Sequence, residues 1–164
     1  MGMIAGAAGR LTAGVSCGAF ATGILLWSLV EYLMHRFAFH GFAPHYQHHT
    51  NPSNSAFILA PLWLALSGAA AVWMMLVLIS GSWAAANCML SGVVCGYISY
   101  ELVHLRIHSD RPGGTLLRAL RKHHYYHHFA SENACFGVTS PLWDLIFRST
   151  AGRSGANRQT GTLR

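Results

Sequence analysis

A chain of 164 residues is the size of one domain, and this one is 52% hydrophobic and only 10% charged, against roughly 25% charged in a typical soluble domain. Five carboxylates and eleven Lys and Arg cannot cover so apolar a chain, so lipid is the natural solvent for the excess. The net charge of +6 forms no basic run, which argues against nucleic acid as a partner and reads instead as membrane orientation.

Three segments are long and apolar enough to cross a bilayer. They run from about Leu11 to Met34, Ala56 to Ser80 and Trp83 to Leu105, and twenty or more helical residues span about 30 Å. The first is too long for an ordinary signal segment, and its far end carries Glu31, His35 and His40. The second and third are joined by Ser80-Gly81-Ser82, a tight turn that makes them antiparallel neighbours. Three crossings put residues 35–55 and everything after 105 on one side. Ten of the eleven Lys and Arg lie there and only Arg10 lies opposite, which makes that side cytoplasmic. A rival topology adds a re-entrant or amphipathic segment near residues 1–18 or 134–147, which leaves the histidine groups on one side. Asp110-Arg111-Pro112 reads as a turn. Residues 1–148 then form a single all-α membrane domain with a His-rich cytoplasmic cap, and residues 149–164, rich in Gly, Ser, Thr and Arg, read as a disordered tail. Cys17, Cys88, Cys95 and Cys135 form no CxxC pair and read as small packed side chains.

Eleven histidines outnumber all the carboxylates. Ten fall into four groups: His35-x4-His40, His45-x2-His48-His49, His104-x3-His108 and His124-x2-His127-His128. On a helix, positions i, i+3 and i+4 share one face, whereas His35 and His40 would stand about 140° apart. Those two either address opposite sides of one centre or have a helix end between them. Neutral imidazole is a good ligand for iron, zinc and similar metals, and a crowd of buried ring nitrogens without partners is costly. One ion with four to six ligands cannot use ten rings, while two ions can, with one or two rings left for support. His123 is the odd one and reads as a non-ligand.

Glu31 lies four residues before His35, and Glu101 three before His104. A carboxylate there can take the second ring N–H of a ligand histidine or ligate directly. Tyr100 lies on the His104 side of its span and can hydrogen-bond the site. Asp144, in Ser140-Pro141-Leu142-Trp143-Asp144, either supports the site or anchors a turn. No dinucleotide fingerprint, phosphate loop or serine nucleophile elbow occurs, so the electrons of any redox reaction arrive from a separate protein. The span centres are apolar, which argues against a transporter with midplane ligands, and ten histidines exceed the needs of a zinc hydrolase.

Five stretches carry a family resemblance. They are Glu31 to His40, His45 to His49, Gly96 to His108, Leu120 to Phe129, and Phe136-Gly-Val-Thr-Ser-Pro-Leu-Trp143-Asp144. Together they resemble the fatty acid hydroxylase superfamily of sterol desaturase-related membrane enzymes, and most of all its fatty acid or sphingolipid 2-hydroxylase branch. The resemblance implies two iron ions, with zinc able to occupy the site in isolated protein. By motif match the ligands are His35, His40, His45, His48, His49, His104, His108, His124, His127 and His128. It also implies insertion of one oxygen atom from O₂ into a C–H bond of a bilayer lipid. A fused cytochrome b5-like domain, frequent in larger members, is not present in the sequence. The short interval from His40 to His45 is closer to bacterial carotenoid hydroxylases, so a carotenoid or sterol hydroxylase or desaturase is the alternative substrate reading, and a non-enzymatic metal-binding membrane protein is a further one. With three spans, the resemblance leaves room for a homo-oligomer in which a second copy closes the substrate groove.

Overall fold

Thr12 accepts on its Oγ1 the backbone N–H of Val15 at 3.4 Å, and the helix it opens, α1, covers Ala13–Phe37. The structure is a computed structural model that describes residues 11–52, 54–109 and 113–152. Helix α2, Ala43–Thr50, holds Pro44 in its first turn, where a missing N–H has no helical partner to lose. Helix α3, Leu62–Ser80, follows Pro61 and ends at Gly81, whose φ of 61° gives the left-handed cap that glycine adopts without strain. Helix α4, Trp83–His108, starts two residues later. Helices α5, Thr115–Phe129, and α6, Leu142–Ile146, complete the order, with single 3₁₀ turns at Phe39–Gly41 and Ser55–Phe57. No strand occurs among the described residues.

Helices α1, α3 and α4 are each long and apolar enough to cross a membrane, with mean hydropathy of 1.7, 2.2 and 1.3. They expose large apolar side chains such as Leu25, Leu66, Leu78 and Ile98, as a lipid-facing surface requires. The second span was expected from residue 56 but its helix begins at Leu62. Pro61 sits at φ −57°, ψ 132°, and a residue before proline is driven away from the helical region, so Ala60 cannot continue a helix into it. Residues 134–141 form no helix and α6 is only five residues long, too short for a membrane segment.

The chain divides into two compact units. One comprises Met1–Trp27 and Ala60–Ile98. Its helices touch backbone to backbone: a Cβ on Gly23 would lie 2.0 Å from the Met89 carbonyl oxygen, and one on Gly92 would lie 2.1 Å from that of Phe20. Small residues thus let α1 and α4 approach closely, the packing mode that replaces hydrophobic association in lipid. Trp73 donates its Nε1–H to Asn87 Oδ1 at 2.8 Å and clasps α3 to α4. The other unit, Ser28–Leu59 and Ser99–Arg164, contains all eleven histidines.

The expected tail boundary at residue 149 is corrected by the structure. Ser149 is buried, its hydroxyl donates to Asp144 Oδ1 at 2.7 Å, and its carbonyl accepts the Cys135 N–H at 2.7 Å. It belongs to the folded domain because it satisfies buried polar groups there. The remainder of that expectation, residues 153–164, lies outside the described residues, as do the expected turn at 110–112 and residues 1–10.

Gly92→Ala should destabilise the protein by about 1–3 kcal/mol, because the added methyl meets backbone that cannot rotate aside. Gly14→Ala, which meets open space, should stay within about 1 kcal/mol of the parent. Thermal unfolding in detergent micelles checks both. Equal midpoints for the two variants would contradict the close α1–α4 contact.

Candidate metal centre

Helix α1 ends at Phe37, between the first two histidines. His35 therefore projects from the last turn of α1 and His40 from the 3₁₀ turn after it, which resolves their awkward spacing in favour of a helix end. Helix α2 supplies His45, His48 and His49. The last turns of α4 supply His104 and His108, and α5 supplies His124, His127 and His128.

The ten rings gather into two groups of five. His35, His40, His45, His49 and His127 form the first, and His48, His104, His108, His124 and His128 the second. Within each group, one ligand atom per residue lies within 4.8 Å of all the others. The two HxxHH motifs are thus shared between the groups. In each, the i and i+4 rings serve one group and the middle ring serves the other: His45 and His49 against His48, and His124 and His128 against His127. One-turn neighbours stack along a helix face, while the i+3 ring is rotated enough to address the adjacent centre.

The nitrogens themselves test whether a cation fits. His124 Nε2 lies 3.1 Å from His104 Nε2, 3.0 Å from His108 Nε2 and 2.9 Å from His128 Nε2. A ring nitrogen carries one proton or one lone pair, so three such contacts cannot all be hydrogen bonds. With metal–nitrogen bonds of about 2.1 Å, ligands at right angles around one ion stand about 3.0 Å apart. His45 and His49 show the same approach, Nε2 to Nε2 at 3.1 Å. Other ring nitrogens, among them Nε2 of His35 and His127 and both of His48, are buried without a hydrogen-bond partner. Each would be costly unless something accepted its lone pair.

Electrostatics agree with the donor role. Burial, joined by the charge of neighbouring rings, pushes His45 from the usual 6.5 to about 2, His48 to about 3 and His49 to about 4. Burial likewise pushes His127 to about 3 and takes His124 and His128 well down. These rings are neutral at pH 7, the state that ligates a metal.

Orientation comes from backbone rather than from carboxylates in direct contact. His35 Nδ1–H donates to the Phe136 carbonyl at 2.6 Å, and His127 Nδ1–H donates to that of Ala134 at 2.9 Å. Both bonds fix the tautomer that turns Nε2 toward the first group. Between the two carbonyls, Cys135 adopts φ 60°, a left-handed conformation costing about 1 kcal/mol or more for a side chain of this kind.

The structure places the remaining expected residues as follows. Glu31 does not take the N–H of His35, one of the two roles its position offered, because that N–H goes to the Phe136 carbonyl. Its Oε1 accepts the N–H groups of Val138 at 2.8 Å and Thr139 at 2.9 Å, and its Oε2 accepts the Thr139 hydroxyl at 2.6 Å. Carboxylate and ring each find a nearer partner in the 134–139 loop. Asp144, fully buried, accepts the N–H groups of Phe136 and Gly137, the Ser149 hydroxyl and His123 Nε2. Tyr100 is buried with its ring stacked on His104 at 5.5 Å between centroids, and Glu101 is buried on α4. His123 joins neither group. Burial alone would lower its pKa, but its hydrogen bonds to Asp144 and Cys135 outweigh that and raise it to about 9. Sequence reasoning missed the two carbonyls, Thr139 and Ser149. An acidic residue within the apolar Leu142-Trp143-Asp144-Leu145-Ile146 run was the available signal, since a buried carboxylate implies buried donors.

Apolar helices of spanning length joined to two five-histidine groups, the second buried and the first open to the surface at His40, define a membrane-type metalloprotein. Its lineage is equally plain: the family model for fatty acid hydroxylase matches residues 20–149, and the chain belongs to that family. A dihydroceramide fatty acyl 2-hydroxylase of Arabidopsis thaliana is 30% identical over 151 residues, covering 85% of this chain and 63% of its own length. The fatty acid 2-hydroxylase of Homo sapiens is 34% identical over 148 residues, covering 80% of this chain and 39% of its own length. The solved structure of full-length Scs7p, in which only the hydroxylase domain is visible, matches with a TM-score of 0.80 at 27% identity. That match covers 88% of this chain and 59% of the other. The chain thus spans roughly two fifths to three fifths of the length of these relatives.

His127→Ala should lower metal content by emptying the first group, and His48→Ala by emptying the second. His123→Ala should leave metal content near the parent value while costing about 1–3 kcal/mol of stability through the lost bond to Asp144. Elemental analysis and thermal unfolding of the purified variants check this. Equal metal loss in His123→Ala would contradict its place outside both groups.

Proposed function

We propose that this protein is an O₂-dependent lipid hydroxylase with two iron ions, one in each histidine group, acting on a fatty acyl or sphingolipid chain at the carbon next to the carbonyl. The single observation that carries the reading is the pair of five-histidine groups at the ends of apolar spanning helices. Kinship with fatty acid and dihydroceramide 2-hydroxylases supports the acyl substrate over a carotenoid or sterol. The overall reaction takes the lipid C–H, O₂, two electrons and two protons to the lipid alcohol and water. The electrons come from a separate donor protein.

Bound iron would supply the redox chemistry that activates O₂. The chain does the rest. Its ten rings offer neutral nitrogen donors, suited to iron and unsuited to Mg²⁺ or Ca²⁺. His35 lies two residues from the end of α1, and His104 four residues from the end of α4, which is about 6 Å along a helix. That depth suits a carbon close to the lipid headgroup rather than one in mid-chain. His35 and His127 are held in one tautomer by the Phe136 and Ala134 carbonyls, so their donor atoms need no reorganisation. The histidine side faces the cytoplasm on the strength of the Lys and Arg distribution.

Iron-loaded protein supplied with a reductant chain, O₂ and fatty acyl or ceramide substrates should yield a product heavier by 16 mass units, hydroxylated at carbon 2. Mass spectrometry with fragmentation reads both. Loss of two hydrogens would convert the reading to desaturation, and no product from any lipid class with fully metallated protein would end the enzyme proposal.

A further inference from the structure

The peptide unit joining Phe136 to Gly137 has both polar ends occupied. Its carbonyl accepts the His35 Nδ1–H at 2.6 Å, and its N–H donates to Asp144 Oδ2 at 2.8 Å. Amide resonance links the two ends, so a carboxylate at the N–H draws the proton side toward itself and pushes electron density onto the carbonyl oxygen. A metal-ligating histidine commonly gives its second N–H to a carboxylate, which fixes the ring and raises its basicity. Here that arrangement recurs with one peptide inserted between carboxylate and ring.

We propose that Asp144 is a positioning residue for the first histidine group, acting on His35 through the Phe136–Gly137 peptide. The inference rests on the reading of the histidines as metal ligands and not on the hydroxylation reaction.

Three features show that the relay is built. Asp144 is 0% exposed, and its two oxygens accept four hydrogen bonds, which keeps it a carboxylate of fixed orientation. Gly137 is the only residue type that fits, since a Cβ there would lie 2.1 Å from the Ser140 carbonyl oxygen and 3.0 Å from Asp144 Oδ2. The left-handed Cys135 turns the loop so that the Ala134 and Phe136 carbonyls both meet ligand rings.

The relay is selective. The peptide that serves His127 ends differently: its Cys135 N–H donates to the Ser149 carbonyl, a neutral group, at 2.7 Å. No ring of the second group is bonded to the 134–139 loop among the described residues. Removing the charge of Asp144 should therefore weaken the first group and spare the second.

The test is a cobalt(II) titration of the full-length, metal-free protein in detergent against a competing chelator. His35→Ala and His48→Ala identify which binding phase belongs to which group. For Asp144→Asn the second-group phase should match wild type while first-group affinity falls roughly 10–100-fold. Wild-type affinity in both phases would overturn the proposal. So would equal weakening of both, which signifies support of the fold alone. A wild-type protein that binds no metal would instead overturn the underlying site reading. Should Asp144→Asn not fold, wild-type protein labelled with ¹⁵N-glycine gives the second measurement. Zinc filling the first group should move the Gly137 amide proton downfield, and His35→Ala should abolish that response. An unresponsive Gly137 amide overturns the proposal.

Discussion

The convergence of neutral imidazole nitrogens is the constraint on which this structure depends. Ring nitrogens 2.9–3.1 Å apart, beside others buried without a hydrogen-bond partner, are unfavourable as an assembly of rings alone. A bound cation would reverse the sign, because it would take the lone pairs and let the rings around it stay neutral. Folding of this unit and metal binding would then be one equilibrium, because residues 35–49, 104–108 and 124–128 meet at a point that bound metal would hold together. The exchange of single rings between groups, His48 and His127, ties the two groups into one object.

Around this lies a layer made almost entirely of one loop. Four consecutive backbone N–H groups, from Phe136 to Thr139, end on two buried carboxylates, Asp144 and Glu31. The carbonyls of Ala134 and Phe136 face the other way, onto His127 and His35. The loop thus sits between negative charge and two rings of the first histidine group, with its dipoles aligned from one to the other. Such a layer fixes ring orientation before any ion arrives, which is what a site on a short helix and a 3₁₀ turn needs. The strained backbone at Cys135 is tolerated where the surroundings over-determine it.

Much of this was legible in sequence because its signals are local. Apolar runs of spanning length gave the three long helices, and the i, i+3, i+4 spacing gave the two histidine triplets on α2 and α5. Gly81 marked the turn between α3 and α4. Elements that depend on contacts across the chain were not legible. The division of each HxxHH motif between two groups depends on how α2 and α5 meet, not on their own periodicity. Glu31 lies one helical turn before His35, yet it bonds residues more than a hundred positions away. Ser149 carries the composition of a tail and the environment of a core, and only the buried Asp144 and Tyr32 beside it explain why. Pro61 was visible in the sequence but was outweighed by the apolar run around it, so the start of α3 was placed six residues too early.

Anomalous diffraction from crystals of the metal-loaded protein tests the central claim most directly. Two peaks per chain are expected, one amid His35, His40, His45, His49 and His127 and the other amid His48, His104, His108, His124 and His128. A single peak, or metal held by rings drawn from both sets, would contradict it.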